Sequence, residues 1–97
     1  MTREEINAIA QKYADLVKEE MDVESIYLFG SFVNNSYSAD SDIDIAVIAD
    51  DFSGDMVEDT LRLMRIRRKV DTRIEPHPLK KDHPFVKEVI ATGRRIG

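Results

Sequence analysis

Two aspartates separated by one residue, Asp42 and Asp44, sit in the run Ser41-Asp42-Ile43-Asp44-Ile45. In an extended strand, residues two apart share a face, so both carboxylates would project together while Ile43 and Ile45 turn to the opposite side. Adjacent carboxylates repel unless a cation lies between them. Oxygen-rich pairs of this kind suit Mg²⁺ or Mn²⁺, and two ions ~3.5–4 Å apart can stabilise the attacking and leaving oxygens of an in-line phosphoryl displacement. Ser41 lies ten residues after Ser31, which follows Gly30 in the run Leu28-Phe29-Gly30-Ser31. Glycine lets backbone approach a phosphate closely, and the amides and hydroxyl that follow can donate to it. A third carboxylate from a neighbouring strand would complete the site. Asp71, within Val70-Asp71-Thr72-Arg73-Ile74, is the first candidate and Glu75 the second, on the same strand face but further along.

These residues need elements to hold them. Ile6, Ile9, Ala10, Tyr13, Leu16 and Val17 recur at helical spacing from Arg3 to about Met21, with Thr2 placed to cap and Glu4 and Glu5 in the first turn. Ser25 to Phe29 is short, apolar and aromatic and stops at Gly30, as a buried strand does. Asp42 to Ala49 alternates acids with apolar residues and then becomes wholly apolar, which predicts a strand with the acids at its entrance. A helix is expected from a cap at Ser53 or Asp55 to about Ile66, with Met56, Val57, Thr60, Leu61, Leu63 and Met64 on its apolar side. Val70 to Glu75 reads as a third strand ended by Pro76 and Pro78. A last helix opens at Asp82-His83-Pro84, turns Val86, Val89 and Ile90 inward and stops at Gly93. The expected order is α-β-β-α-β-α, an α/β (α+β) fold with helices packed on a small mixed sheet, in one domain spanning residues 1–97.

Composition removes other chemistries. With no cysteine there are no disulfides, thiolate zinc sites or cysteine nucleophiles, which fits a reducing cytoplasm. The formal charge of −5 argues against nucleic acid as the partner. The amino end has no export signal, and the longest apolar run, Ile45 to Ala49, is far shorter than the ~20 residues that span a bilayer.

Gly30-Ser31, a loop, Ser41-Asp42-Ile43-Asp44 and a later Val70-Asp71 together resemble the signature of the DNA polymerase β-like nucleotidyltransferases, in particular their minimal bacterial and archaeal members. The resemblance covers nearly the whole chain. It implies that Gly30 and Ser31, with Ser41 orienting the loop, bind the nucleotide. Asp42, Asp44 and Asp71 would be the catalytic, metal-holding carboxylates, with two Mg²⁺ or Mn²⁺ ions. The implied reaction moves a nucleoside monophosphate, AMP from ATP, to an acceptor hydroxyl. Many members follow the glycine-serine pair, after two residues, with arginine and glycine, where this chain has Asn34 and Asn35. Asn35 can adopt the left-handed conformation of a glycine, but Asn34 carries no charge for the triphosphate. The resemblance further implies a helical HEPN-type partner in a toxin–antitoxin pair, whose tyrosine would accept AMP, or self-association in its place. Two alternatives stay open: a weak or inactive module acting by protein binding, and nucleotidylation of a small molecule such as an aminoglycoside.

Other features read more plainly. Asp40-Ser41-Asp42-Ile43-Asp44 imitates the start of a calcium loop, but Ile45 stands where that loop needs glycine. Arg62, Arg65 and Lys69 form one stripe, read as a solvated helix face. Arg73 could serve the acid cluster or pair with a structural carboxylate. His77 and His83, beside prolines, read as loop and cap residues, and Tyr37 as a loop aromatic able to stack on a base.

Overall fold

The computed structural model describes residues 2–34, 41–50 and 56–97. Asn35, Tyr37, Asp40, Ser53 and Asp55 lie outside the described residues, and so do the expectations placed on them.

The first helix, α1 (Arg3–Glu20), starts as its sequence demands: the Thr2 hydroxyl accepts the Glu5 N–H at 3.1 Å. Its buried face is Ile6, Ala10, Tyr13, Ala14 and Val17, with Ile9 and Leu16 partly covered. Strand β1 (Ser25–Phe29) leads through Gly30 into a short helical turn, α2 (Ser31–Asn34), and β2 (Ile43–Ala49) follows. Then come α3 (Met56–Arg68), β3 (Ile74–Lys80), α4 (Phe85–Thr92) and the two-residue β4 (Arg94–Arg95). The sheet order is β3-β2-β1-β4, with β2 parallel to β3 and β1 antiparallel to both β2 and β4. It is the mixed sheet expected from the sequence.

Side-chain alternation divides the sheet into two faces. Ile26, Leu28, Ile43, Ile45, Val47 and Ile74 pack with α1 and α3 into the larger core. Ala46, Ile48 and Leu79 pack with Val86 and Val89 of α4 on the other face, with Tyr27 and Phe29 at its margin. Phe29, Asp44 and Glu75 stand in one row across β1, β2 and β3, and alternation assigns this row to the α4 face.

Four details differ from the sequence expectation. The third strand begins at Ile74 and runs through both prolines instead of ending at them. β3 is an edge strand, and prolines two residues apart can both turn their missing N–H positions away from β2. In α3 the buried positions are Asp59, Leu63 and Ile66, while Val57 and Leu61 are exposed. Leu63 and Ile66, three residues apart, fix which stripe of an apolar-rich helix turns inward. Ile90 is also exposed, because Val86 and Val89 already define the face of α4 on the sheet. The elements α2 and β4 were not foreseen, as neither is long enough to leave a periodic pattern.

Tyr13 ties α1 to α3. Its ring is fully buried and its hydroxyl donates to the Leu63 carbonyl at 2.9 Å. Tyr13→Phe removes that bond alone and should cost about 1 kcal/mol in urea unfolding. Burial pushes the Tyr13 phenol well above its usual range, with the Arg67 charge opposing. The folded state therefore holds this proton more tightly than the unfolded chain does. Its contribution is complete below about pH 10 and declines as pH rises further, because the unfolded phenol ionises first. Alkaline unfolding should be less steep in Tyr13→Phe than in the wild type. Among the described residues, no helix is long and apolar enough to cross a membrane.

Candidate active site

Asp44 is the second residue of β2 and stands between Phe29 of β1 and Glu75 of β3. Directly after Phe29, Gly30 takes φ +80°, in the left-handed region that favours glycine. A Cβ there would lie 2.5 Å from Asp44 Oδ2, so any other residue would be strained in its backbone and would displace that carboxylate oxygen. The glycine-serine turn thus presses directly on the carboxylate, and Ser31 opens α2 beside it.

Asp42 is exposed and stands two residues before Asp44, just ahead of the strand proper; Ser41 is half-buried next to it. Asp71 occupies the turn between α3 and β3 and is bound on several sides by Arg73. The Arg73 backbone N–H and side-chain Nε each donate to Asp71 Oδ1 at 2.9 Å. The Arg73 guanidinium holds the Asp71 carboxyl below the usual carboxylate range, against the opposing effect of burial. Of the two roles open to Arg73, the observed one is this ion pair. Glu75, the second candidate in the sequence, is the residue paired in register with Asp44.

One site residue escaped the sequence reading. His77 lies within β3 rather than in a loop, and its Nε2 is 3.2 Å from Asp44 Oδ1. It is register partner to Ala46, two residues beyond Asp44 on the same face of the sheet. The hydrogen bond to Asp44 raises the His77 pKa above its usual value, while burial works against the rise. Phe29 meets the imidazole edge-on at 5.1 Å between ring centroids, and Phe85 meets Phe29 at 5.7 Å. The period-two spacing of Glu75 and His77 was the available signal, hidden by the assumption that the prolines end the strand. His83 does act as a cap, its Nδ1 accepting the Phe85 N–H at 3.1 Å.

One ligand atom from each of Asp44, Glu75 and His77 lies within 4.8 Å of the others, the only such group found among the described residues. Two carboxylates and an imidazole form a donor set that fits a divalent cation. Beside this group, between α2 and α4, is a cleft of about 360 Å³ lined by Phe29, Val33, Phe85 and Val89, with Glu88 and Thr92 adding polar edges.

This mixed sheet, with a positive-φ glycine turn against an acid-bearing strand, belongs to a fold that solved structures share. A crystal structure from Sulfolobus solfataricus, provisionally described as a nucleotidyltransferase, superposes with TM-score 0.72 at 19% identity, over 96% of this chain and 80% of that one. At that identity the likeness concerns the fold. A toxin–antitoxin crystal structure with AMP-PNP contains a chain matching at TM-score 0.69 and 25% identity, over 90% of this chain and 72% of that one. A Methanocaldococcus jannaschii protein that carries the provisional name of protein adenylyltransferase is 32% identical over 91 residues, 92% of this chain and 91% of its own length. Residues 5–97 match the family model described as polymerase beta, nucleotidyltransferase, and the chain belongs to that family. It is a nucleotidyltransferase, and its resemblance to the minimal members, first drawn from the sequence, stands.

Proposed function

We propose that the protein is a metal-dependent adenylyltransferase that moves AMP from ATP to a hydroxyl on a partner protein. The observation that carries this reading is the contiguity of Gly30, Asp44 and Glu75, a phosphate-approach turn and two carboxylates in register. Gly30 and Ser31 hold the triphosphate, with Ser41 orienting the loop that leads into Asp42. Asp42 and Asp44 take the cation-holding positions, and Glu75 takes the third carboxylate position in preference to Asp71. These residues would hold a divalent cation, which would supply charge neutralisation for the transferring phosphate and the leaving pyrophosphate. The acceptor oxygen forms a bond to the α-phosphorus, the bond from that phosphorus to the bridging oxygen breaks, and pyrophosphate leaves. In this reading Glu75 receives the hydroxyl proton.

The acceptor is read from the relatives. The name of the M. jannaschii relative supports a protein acceptor and adenylyl transfer, and the toxin–antitoxin structure with AMP-PNP supports an adenine nucleotide and a toxin partner. A tyrosine on a helical HEPN-type toxin is the form we propose, and the apolar cleft between α2 and α4 offers a seat for an aromatic ring. Co-expression with a HEPN-type protein from the source organism followed by intact-protein mass spectrometry should show a partner heavier by one AMP, and an unmodified partner would count against this acceptor. The choice of third carboxylate has its own test. Glu75→Gln should lower transfer by roughly a hundredfold or more, whereas Asp71→Asn should change it by less than about threefold and act on stability instead. The reverse ranking would restore Asp71 to the site.

A further inference from the structure

The residue at the site that neither the glycine-serine turn nor the paired acids account for is His77. It occupies β3 two residues after Glu75, and strand alternation assigns both to the sheet face of Asp44. Its Nε2 is the nitrogen turned to the carboxylate, at 3.2 Å from Asp44 Oδ1. The edge contact from Phe29, itself braced by Phe85, limits the tilt of the imidazole. Ligand atoms of Asp44, Glu75 and His77 all fall within 4.8 Å of one another. Donors that share one ion at about 2.0–2.2 Å stand no more than twice that distance apart, so small side-chain adjustments bring all three onto a common ion.

Nitrogen in this donor set changes which ion is favoured. Mg²⁺ and Mn²⁺ both suit carboxylate oxygens, but Mg²⁺ is the harder ion and retains its waters, whereas Mn²⁺, a first-row transition ion, accepts an imidazole nitrogen more readily. We propose that His77 is a direct metal ligand, through Nε2, and that it biases the site towards a transition ion such as Mn²⁺ over Mg²⁺. This rests on the proposed function insofar as Asp44 and Glu75 are taken as cation-holding residues. It goes further in assigning a nitrogen ligand and an ion preference. His77 takes part both in fixing the ion and, through Phe29 and Phe85, in linking the position of α4 to the metal site.

The experiment is pulsed electron paramagnetic resonance of Mn²⁺ added to the full chain, with and without the non-transferable analogue α,β-methylene-ATP. Two histidines are present, so His83→Gln serves as the control for the second imidazole. Wild type and His83→Gln should show ¹⁴N coupling to the bound Mn²⁺, replaced by ¹⁵N coupling when histidine is ¹⁵N-labelled. His77→Gln, which can still donate a hydrogen bond to Asp44, should lose the coupling and bind Mn²⁺ roughly tenfold more weakly, with Mg²⁺ affinity changed by less than about threefold. Bound Mn²⁺ without histidine nitrogen coupling in the wild type would overturn the assignment, even if His77→Gln weakened binding, since His77 would then act only through Asp44. Equal losses of Mg²⁺ and Mn²⁺ affinity in His77→Gln would overturn the ion preference. Transfer of labelled AMP in the same preparations reports separately on the proposed function. Nitrogen coupling without transfer upholds the ligand and removes the function, and transfer without coupling does the reverse.

Discussion

Asp44→Asn is expected to lower AMP transfer by on the order of a thousandfold while leaving the fold intact. The substitution preserves shape, and an amide at residue 44 can still meet His77 Nε2, so urea unfolding should change little. What disappears is the charge. Asp44 is the residue on which the site converges: Gly30 abuts one oxygen, His77 contacts the other, and Glu75 is its register partner. Cation stabilisation of a transferring phosphate is worth several kcal/mol, and each ~1.4 kcal/mol of barrier is a factor of ten in rate. Cation binding measured by calorimetry should weaken in parallel with transfer. Retained transfer in a folded Asp44→Asn protein would remove Asp44 from the reaction.

Gly30→Ala should be the next most damaging change, and it should affect stability as well as transfer. At φ +80° an alanine is strained by about 1–2 kcal/mol, and its Cβ would collide with Asp44 Oδ2. Either the carboxylate or the turn must move. A displacement of about 1 Å at a reacting group can reduce rate by roughly a hundredfold, and loss of that order is expected even in molecules that remain folded. Gly30→Asn separates the two causes. Asparagine tolerates the left-handed region, so stability should recover part of the loss, but its Cβ meets the same oxygen, so transfer should not. Equal recovery of both would mean that conformation alone, and not contact with Asp44, makes glycine necessary.

The sequence carried the fold wherever a periodic pattern was long or ended in a strong stop signal. The spacing of Ile6, Ala10, Tyr13 and Val17 marked α1, and Ser25–Phe29 before Gly30 marked β1 with its observed bounds. It was less informative where tertiary pairing overrides local preference. Pro76 and Pro78 look like strand breakers until β3 is known to be an edge, and the same misreading concealed His77. In α3, Val57 and Leu61 are as apolar as Leu63, and only packing on the sheet decides which stripe is buried. The candidate site shows the same division. Gly30 and Asp44 were legible as residue types at a family spacing, and their mutual contact gives that spacing a physical reason. The placement of Glu75 opposite Asp44 depends on the β2–β3 register, which a single chain of letters does not state.

The most direct test of the central claim is transfer of label from α-phosphate-labelled ATP, with Mg²⁺ or Mn²⁺, to protein in a lysate of the source organism. Wild type and the Asp42→Asn/Asp44→Asn double variant would be run side by side. A labelled acceptor protein formed only by the wild type is the predicted result. No label with either metal, in a protein that still binds metal and ATP, would contradict the account and leave a nucleotidyltransferase fold that acts by binding alone.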